Sequence, residues 1–167
     1  MTKEEANKLR VLSAVHEAGH AVAFWASGFS MGAVRVYRRE RKQKDGSFIG
    51  GKVLFDVDQA RTARQKTAFL VAVLAGHEAD ILHRWPHSAN DGFVFAPEVC
   101  AYEDYLLVKD RLRKRIAEEE QQEEALRRLR NRAKRVVKSN WHLIEALSSA
   151  ARPIAQKSYR SRSRTGT

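Results

Sequence analysis

Leu9, Leu12, Val15, Ala18, Gly19, Val22 and Ala23 recur at three- and four-residue steps. That is the period of an amphipathic helix, and it predicts one from residue 3 to about residue 27, with Gly28 as its C-cap. The period then changes. Residues 33–39 alternate as a strand does, Lys44 to Ser47 supply turn chemistry, and Phe48–Val57 read as a second strand. Gly50 and Gly51 mark a bulge or a close backbone approach within it. A second helix is predicted from about Asp58 to Arg84, ahead of Pro86. Residues 85–98 hold two prolines and Asn90-Asp91-Gly92, so they read as a loop. A long third helix starts near Glu98. It carries the i,i+4 pairs Glu123–Arg127 and Glu124–Arg128, and it breaks near Asn131 or continues. A last helical stretch reaches about Ala151, before Pro153. The expected fold is α+β and mainly α-helical: one domain over residues 1–151, with a small β segment next to the first helix. Residues 152–167 form a basic Ser/Arg-rich tail without periodicity, expected to be disordered.

With 167 residues and 43% apolar positions, the chain can build one core. Its longest apolar run is Ala68 to Ala75, far short of the roughly 18 residues that span a bilayer. Acids stand at Glu4 and Glu5, where a signal peptide is basic and then apolar. These features predict a soluble, cytoplasmic chain. Cys100 is the only cysteine, which excludes an internal disulfide and a Cys-rich zinc site. No Gly-rich phosphate loop is present, so nothing points to ATP. The net charge of +11 is uneven: residues 1–104 hold 14 Lys/Arg against 13 Asp/Glu, and residues 105–167 hold 17 against 7. That asymmetry permits contact with nucleic acid, anionic lipid or acidic partners. It equally describes a solvated surface.

The segment that carries chemistry is His16-Glu17-Ala18-Gly19-His20. Residues four apart on a helix share a face about 6 Å apart along the axis. Two imidazoles so placed can converge on one Zn²⁺, and the Glu beside the first can act as general base toward a water that the metal acidifies. Two ordinary helix histidines on a half-buried face would give the same letters. The small residues Ala14, Ala18, Gly19 and Ala21 favour the metal reading, because a helical Gly costs roughly 1 kcal/mol and calls for a packing or functional reason.

A catalytic zinc needs a third protein ligand and one open position. Glu78, Asp80, Asp91, Glu103 and Asp104 are candidates, as are His77, His83, His87 and His142. Spacing alone does not choose among them. His83 and His87 are four apart, but Pro86 breaks the helix between them, so they read as polar residues at a helix end.

Val15-His16-Glu17-Ala18-Gly19-His20-Ala21-Val22-Ala23 resembles the peptidase domain of the FtsH-type membrane proteases. The likeness spans roughly residues 7–151. Residues 33–55 look like that family's short β segment. Leu70 to Asp80 resembles its next helix, although His77-Glu78 departs from the usual Arg-Ala. Cys100-Ala101-Tyr102-Glu103-Asp104-Tyr105 matches the family's Gly-Ala-x-x-Asp-Leu, with Cys for Gly and Tyr for Leu. The resemblance implies a zincin-like fold, Zn²⁺ held by His16, His20 and Asp104, and Glu17 as catalytic base. It makes Asp80 the runner-up ligand, or a group that orients a ligand. It also implies that peptide substrate adds to the strand around Gly50 and Gly51. The family's membrane anchor and ATPase module have no counterpart in this sequence. The expected activity is therefore ATP-independent endopeptidase cleavage of peptides or unfolded protein, with a separate delivery partner or an oligomer as further options. The competing expectation is a non-catalytic regulatory protein that uses its basic C-terminal third to bind nucleic acid or a protein. A third is a purely structural zinc, which would need a fourth protein ligand.

Overall fold

A computed structural model describes residues 3–40, 47–55, 60–84 and 102–151. The expected loop at 85–98, the turn at 44–47 apart from Ser47, Cys100 and the tail from 152 lie outside these residues. Among the described residues the architecture is mainly α-helical, with one two-stranded antiparallel sheet. Among the described residues no helix is long and apolar enough to cross a membrane.

Helix α1 spans Lys3–Ala26. It ends as Gly28 predicts: φ of +80° places Gly28 in the left-handed region, which glycine enters without a Cβ clash. The Phe29 N–H reaches back to the Phe24 carbonyl at 3.0 Å and the Gly28 N–H to the Trp25 carbonyl at 2.9 Å, the paired bonds of a Schellman end. The rings of Phe24 and Phe29 meet edge to face beneath it, centroids 5.6 Å apart.

Strands β1, Met31–Glu40, and β2, Ser47–Phe55, pair antiparallel, with Val36 opposite Gly51 and Tyr37 opposite Gly50. The two glycines therefore sit in regular register. The one irregularity lies between Met31 and Val34, so the expected bulge at Gly50-Gly51 is corrected to that end of the hairpin. Val53 is buried, and β2 packs on α1.

Helix α2, Ala63–Arg84, starts five residues later than the periodicity predicts. Thr62 and Gln65 explain the delay. The Gln65 N–H donates to Thr62 Oγ1 at 3.2 Å, and the Thr62 N–H donates to Gln65 Oε1 at 3.0 Å. This reciprocal capping box satisfies two donors of the first turn.

Beyond the undescribed stretch the sequence predicts one long helix; the structure holds α3, Tyr102–Arg113, and α4, Glu119–Ser139. The chain turns at Lys114–Glu118. There the Ile116 carbonyl, unpaired by helix continuation, accepts the Gln122 side-chain amide at 2.9 Å. Helix α4 runs through Asn131 without a break. It stops at Asn140, whose side-chain amide donates to the Val136 carbonyl at 2.8 Å. Helix α5, Trp141–Ala150, follows directly. Glu124 bonds Arg128 as expected, at 2.7 Å, and also Arg127. Glu123 instead reaches Lys109 of α3 at 2.9 Å, which replaces the expected Glu123–Arg127 pair by a tie between helices.

Burial along α1 and α2 is nearly continuous: Ala14, Val15 and residues 17–24 of one, residues 70–80 of the other. A helix apolar around most of its circumference must be surrounded, and these two are covered by the sheet, α4 and α5. They cross at Gly19 and Gly76. A Cβ on Gly19 would come within 2.7 Å of Ala79 Cβ and 2.8 Å of the Ala75 carbonyl oxygen. The missing side chains thus set the helix separation, and that separation positions the site.

Candidate metal centre

His16 and His20 stand one turn apart on α1, and their rings meet edge to face with centroids 4.6 Å apart. Each ring is fixed by the bond its Nδ1 makes. His16 Nδ1 lies 2.8 Å from Asp80 Oδ2 of α2, and His20 Nδ1 lies 3.0 Å from the Ala72 carbonyl of the same helix. A carbonyl and a carboxylate only accept, so both Nδ1 atoms carry the proton. When both rings are neutral, their Nε2 atoms turn lone pairs inward.

Those lone pairs converge. His16 Nε2 and His20 Nε2 are 3.0 Å apart, and Asp104 Oδ2 from the first turn of α3 lies 3.2 Å from each. Three acceptors at such distances repel unless a proton or a metal ion sits among them. Donors held tetrahedrally at zinc bond lengths of about 2.0–2.1 Å would be roughly 3.3 Å apart, close to the spacing present. His16, His20 and Asp104 can therefore hold a metal ion. Asp80 contacts the other edge of His16, the place of a carboxylate that orients a ligating imidazole. Asp104 keeps 28% of its side chain exposed, which leaves the group a way to solvent.

The same geometry governs protons in the metal-free state. Burial disfavours a charged His16, but hydrogen bonds to Asp104 and Asp80 outweigh it and push the imidazole up to about 10. Burial opposes ionisation of Asp104 too. The two imidazoles overcome it and hold the carboxyl well below the usual carboxylate range. Glu17 is pushed up, chiefly by burial, against the pull of His20 and His16. The residue as a whole is only 8% exposed.

Of the other sequence candidates, Glu78 is buried and pairs with Arg130 of α4 at 3.0 Å, on a different face of α2. His77 is buried, the His83 ring lies 6.5 Å from Trp141, and Glu103 and His142 are exposed. None joins the converging group. Asp91 and His87 lie outside the described residues. Gly50 and Gly51 belong to β2, which packs on α1.

Two participants escape the sequence reading: the Ala72 carbonyl and Gly76. A Cβ on Gly76 would strike the His20 ring, reaching 2.5 Å from Cε1. The signal was present, since Ala72, Gly76 and Asp80 follow one another at four-residue steps and so line one face of α2.

No family model matches the chain, and no curated protein matches it.

Proposed function

We propose that this chain is a zinc-dependent, ATP-independent endopeptidase, with a zincin-like peptidase domain of the FtsH type. The observation that carries the reading is the convergence of His16 Nε2, His20 Nε2 and Asp104 Oδ2, with buried Glu17 close enough to feel the charges of His20 and His16. Two nitrogens, one oxygen and an open approach suit a catalytic zinc better than a structural one, which would require a fourth protein donor. Bound there, Zn²⁺ supplies Lewis acidity, which polarises a peptide carbonyl and acidifies water.

The remaining work falls to the chain's own residues. His16, oriented by Asp80, and His20, oriented by the Ala72 carbonyl, hold their Nε2 atoms toward one point. Burial gives Glu17 a basicity above that of a free glutamate, suited to taking a proton from the attacking water and delivering it to the leaving amine. The substrate is an extended peptide or an unfolded segment, added as a further strand to the hairpin near Gly50 and Gly51.

The test compares wild type with Glu17→Gln for bound zinc and for cleavage of an unfolded protein such as casein. The reading expects about one zinc per chain in both. It also expects cleavage in wild type and a loss of roughly 10²–10⁴-fold in the variant. Zinc-free wild type after reconstitution, or cleavage equal in the two proteins, overturns it.

A further inference from the structure

From Arg127 to Lys138 helix α4 carries seven Lys/Arg and no Asp/Glu. Three of the seven are engaged: Arg127 and Arg128 with Glu124, and Arg130 with Glu78. Arg132, Lys134, Arg135 and Lys138 are exposed, and none pairs with an acid among the described residues. Leu126, Leu129, Ala133 and Val137 take the opposite face into the core, so the charges are gathered on the solvent side of a rigid, well-packed helix.

Eleven helical steps cover about 16 Å. Over that length a nucleic-acid duplex presents about ten phosphates, and one of its strands about five. The four cations outside those ion pairs, Arg132, Lys134, Arg135 and Lys138, come close to the phosphate number of one strand. Two of these, Arg132 and Arg135, are arginines, whose planar forks bind phosphate oxygens two at a time. A membrane surface is the poorer match, because the apolar face of α4 is consumed by the core and nothing remains to insert among lipid chains.

We propose that the solvent face of α4 between Arg127 and Lys138 binds the phosphate backbone of nucleic acid without regard to base sequence. The site is separate from the metal centre and does not depend on the peptidase reading. It converts the diffuse positive charge of the C-terminal third into one defined helix face.

The test is fluorescence anisotropy of the full chain with labelled 20-nucleotide single strands and 20-base-pair duplexes of two unrelated sequences, from 50 to 200 mM salt. The expected result is similar affinity for both sequences, with log K falling against log salt at a slope of about −3 to −4 on duplex, as for four phosphate contacts. The triple variant R132A/R135A/K138A should bind at least tenfold more weakly at 100 mM salt, with unchanged helical circular dichroism and zinc content. The glutamine triple at the same positions replaces it should the alanine triple not fold. The control R61A/R64A/K66A removes the same charge from exposed positions at the start of α2 and should lose under threefold. Three outcomes overturn the proposal: an α4 variant within threefold of wild type, a control that loses as much as the α4 variant, or capture by anionic phospholipid vesicles without binding to either nucleic acid.

Discussion

Gly76 lies directly beneath the His20 ring: a Cβ placed on it would come within 2.5 Å of His20 Cε1 and nearer still to Nε2. A helix-interior glycine ordinarily costs about 1 kcal/mol relative to alanine. Here its lack of a side chain gives the imidazole its place against α2.

Gly76→Ala should therefore raise helix propensity and still damage the site. The new methyl must push the His20 ring away from Ala72 O and from the other two donors. We expect metal affinity to fall at least tenfold, in the range seen when groups that support a ligand are lost. Competition with a zinc-chelating dye would measure it, and affinity equal to wild type would contradict the placement. Gly19→Ala acts on packing instead. Its Cβ would meet Ala79 Cβ and the Ala75 carbonyl, and overpacking of that kind costs about 1–3 kcal/mol in urea denaturation.

Asp80 and Asp104 should separate cleanly. Asp104 directs its oxygen at both Nε2 atoms, whereas Asp80 contacts only the far nitrogen of His16. Asp104→Ala is expected to abolish stoichiometric zinc. Asp80→Ala is expected to retain the ion with about 10- to 100-fold weaker affinity. Elemental analysis after dialysis against graded chelator distinguishes them, and the opposite order would exchange their roles.

The metal should become more stabilising as pH rises. In the metal-free protein His16 is held up at about 10 by Asp104 and Asp80 despite its burial. Its folded value exceeds the unfolded value of about 6.5, so its stabilising share is complete below that pH and is lost on rising toward 10. Zinc must displace that same proton, so its affinity grows with pH over this window. The difference in Tm between zinc-loaded and chelator-treated protein should widen from pH 6.5 to 9. A constant or shrinking difference would count against a shared site for proton and metal.

Glu78 and Arg130 tie α2 to α4 through a carboxylate only 5% exposed. Arg130→Ala leaves that charge buried without its partner. Because Arg130 itself is partly exposed, the cost should fall below the 3–5 kcal/mol of a fully buried pair, at about 2–3 kcal/mol. The double variant E78Q/R130M removes both charges and should recover most of the loss in chemical denaturation.

The sequence by itself determined what is local. Gly28 and Phe29 dictate how α1 ends, and Leu126, Leu129, Ala133 and Val137 dictate which face of α4 is buried, because caps and apolar periods act over a few residues. His16 and His20 share a face for the same reason: four residues are one helical turn. Other local signals lost to competing ones. Thr62 and Gln65 moved the start of α2, and the turn at Lys114–Glu118 split a helix whose charges alone read as continuous. What only the tertiary structure decided is which distant groups meet those histidines. Asp104 lies 88 residues from His16 and Asp80 lies 64 away. Both are acids at helical positions, and composition cannot rank them. The close crossing of α1 and α2 at Gly19 and Gly76 sets Asp80 against one side of His16, and the packing of α3 sets Asp104 against the other. Burial, which no single segment possesses, then raises the cost of leaving these three groups facing one another without a proton or a metal ion among them.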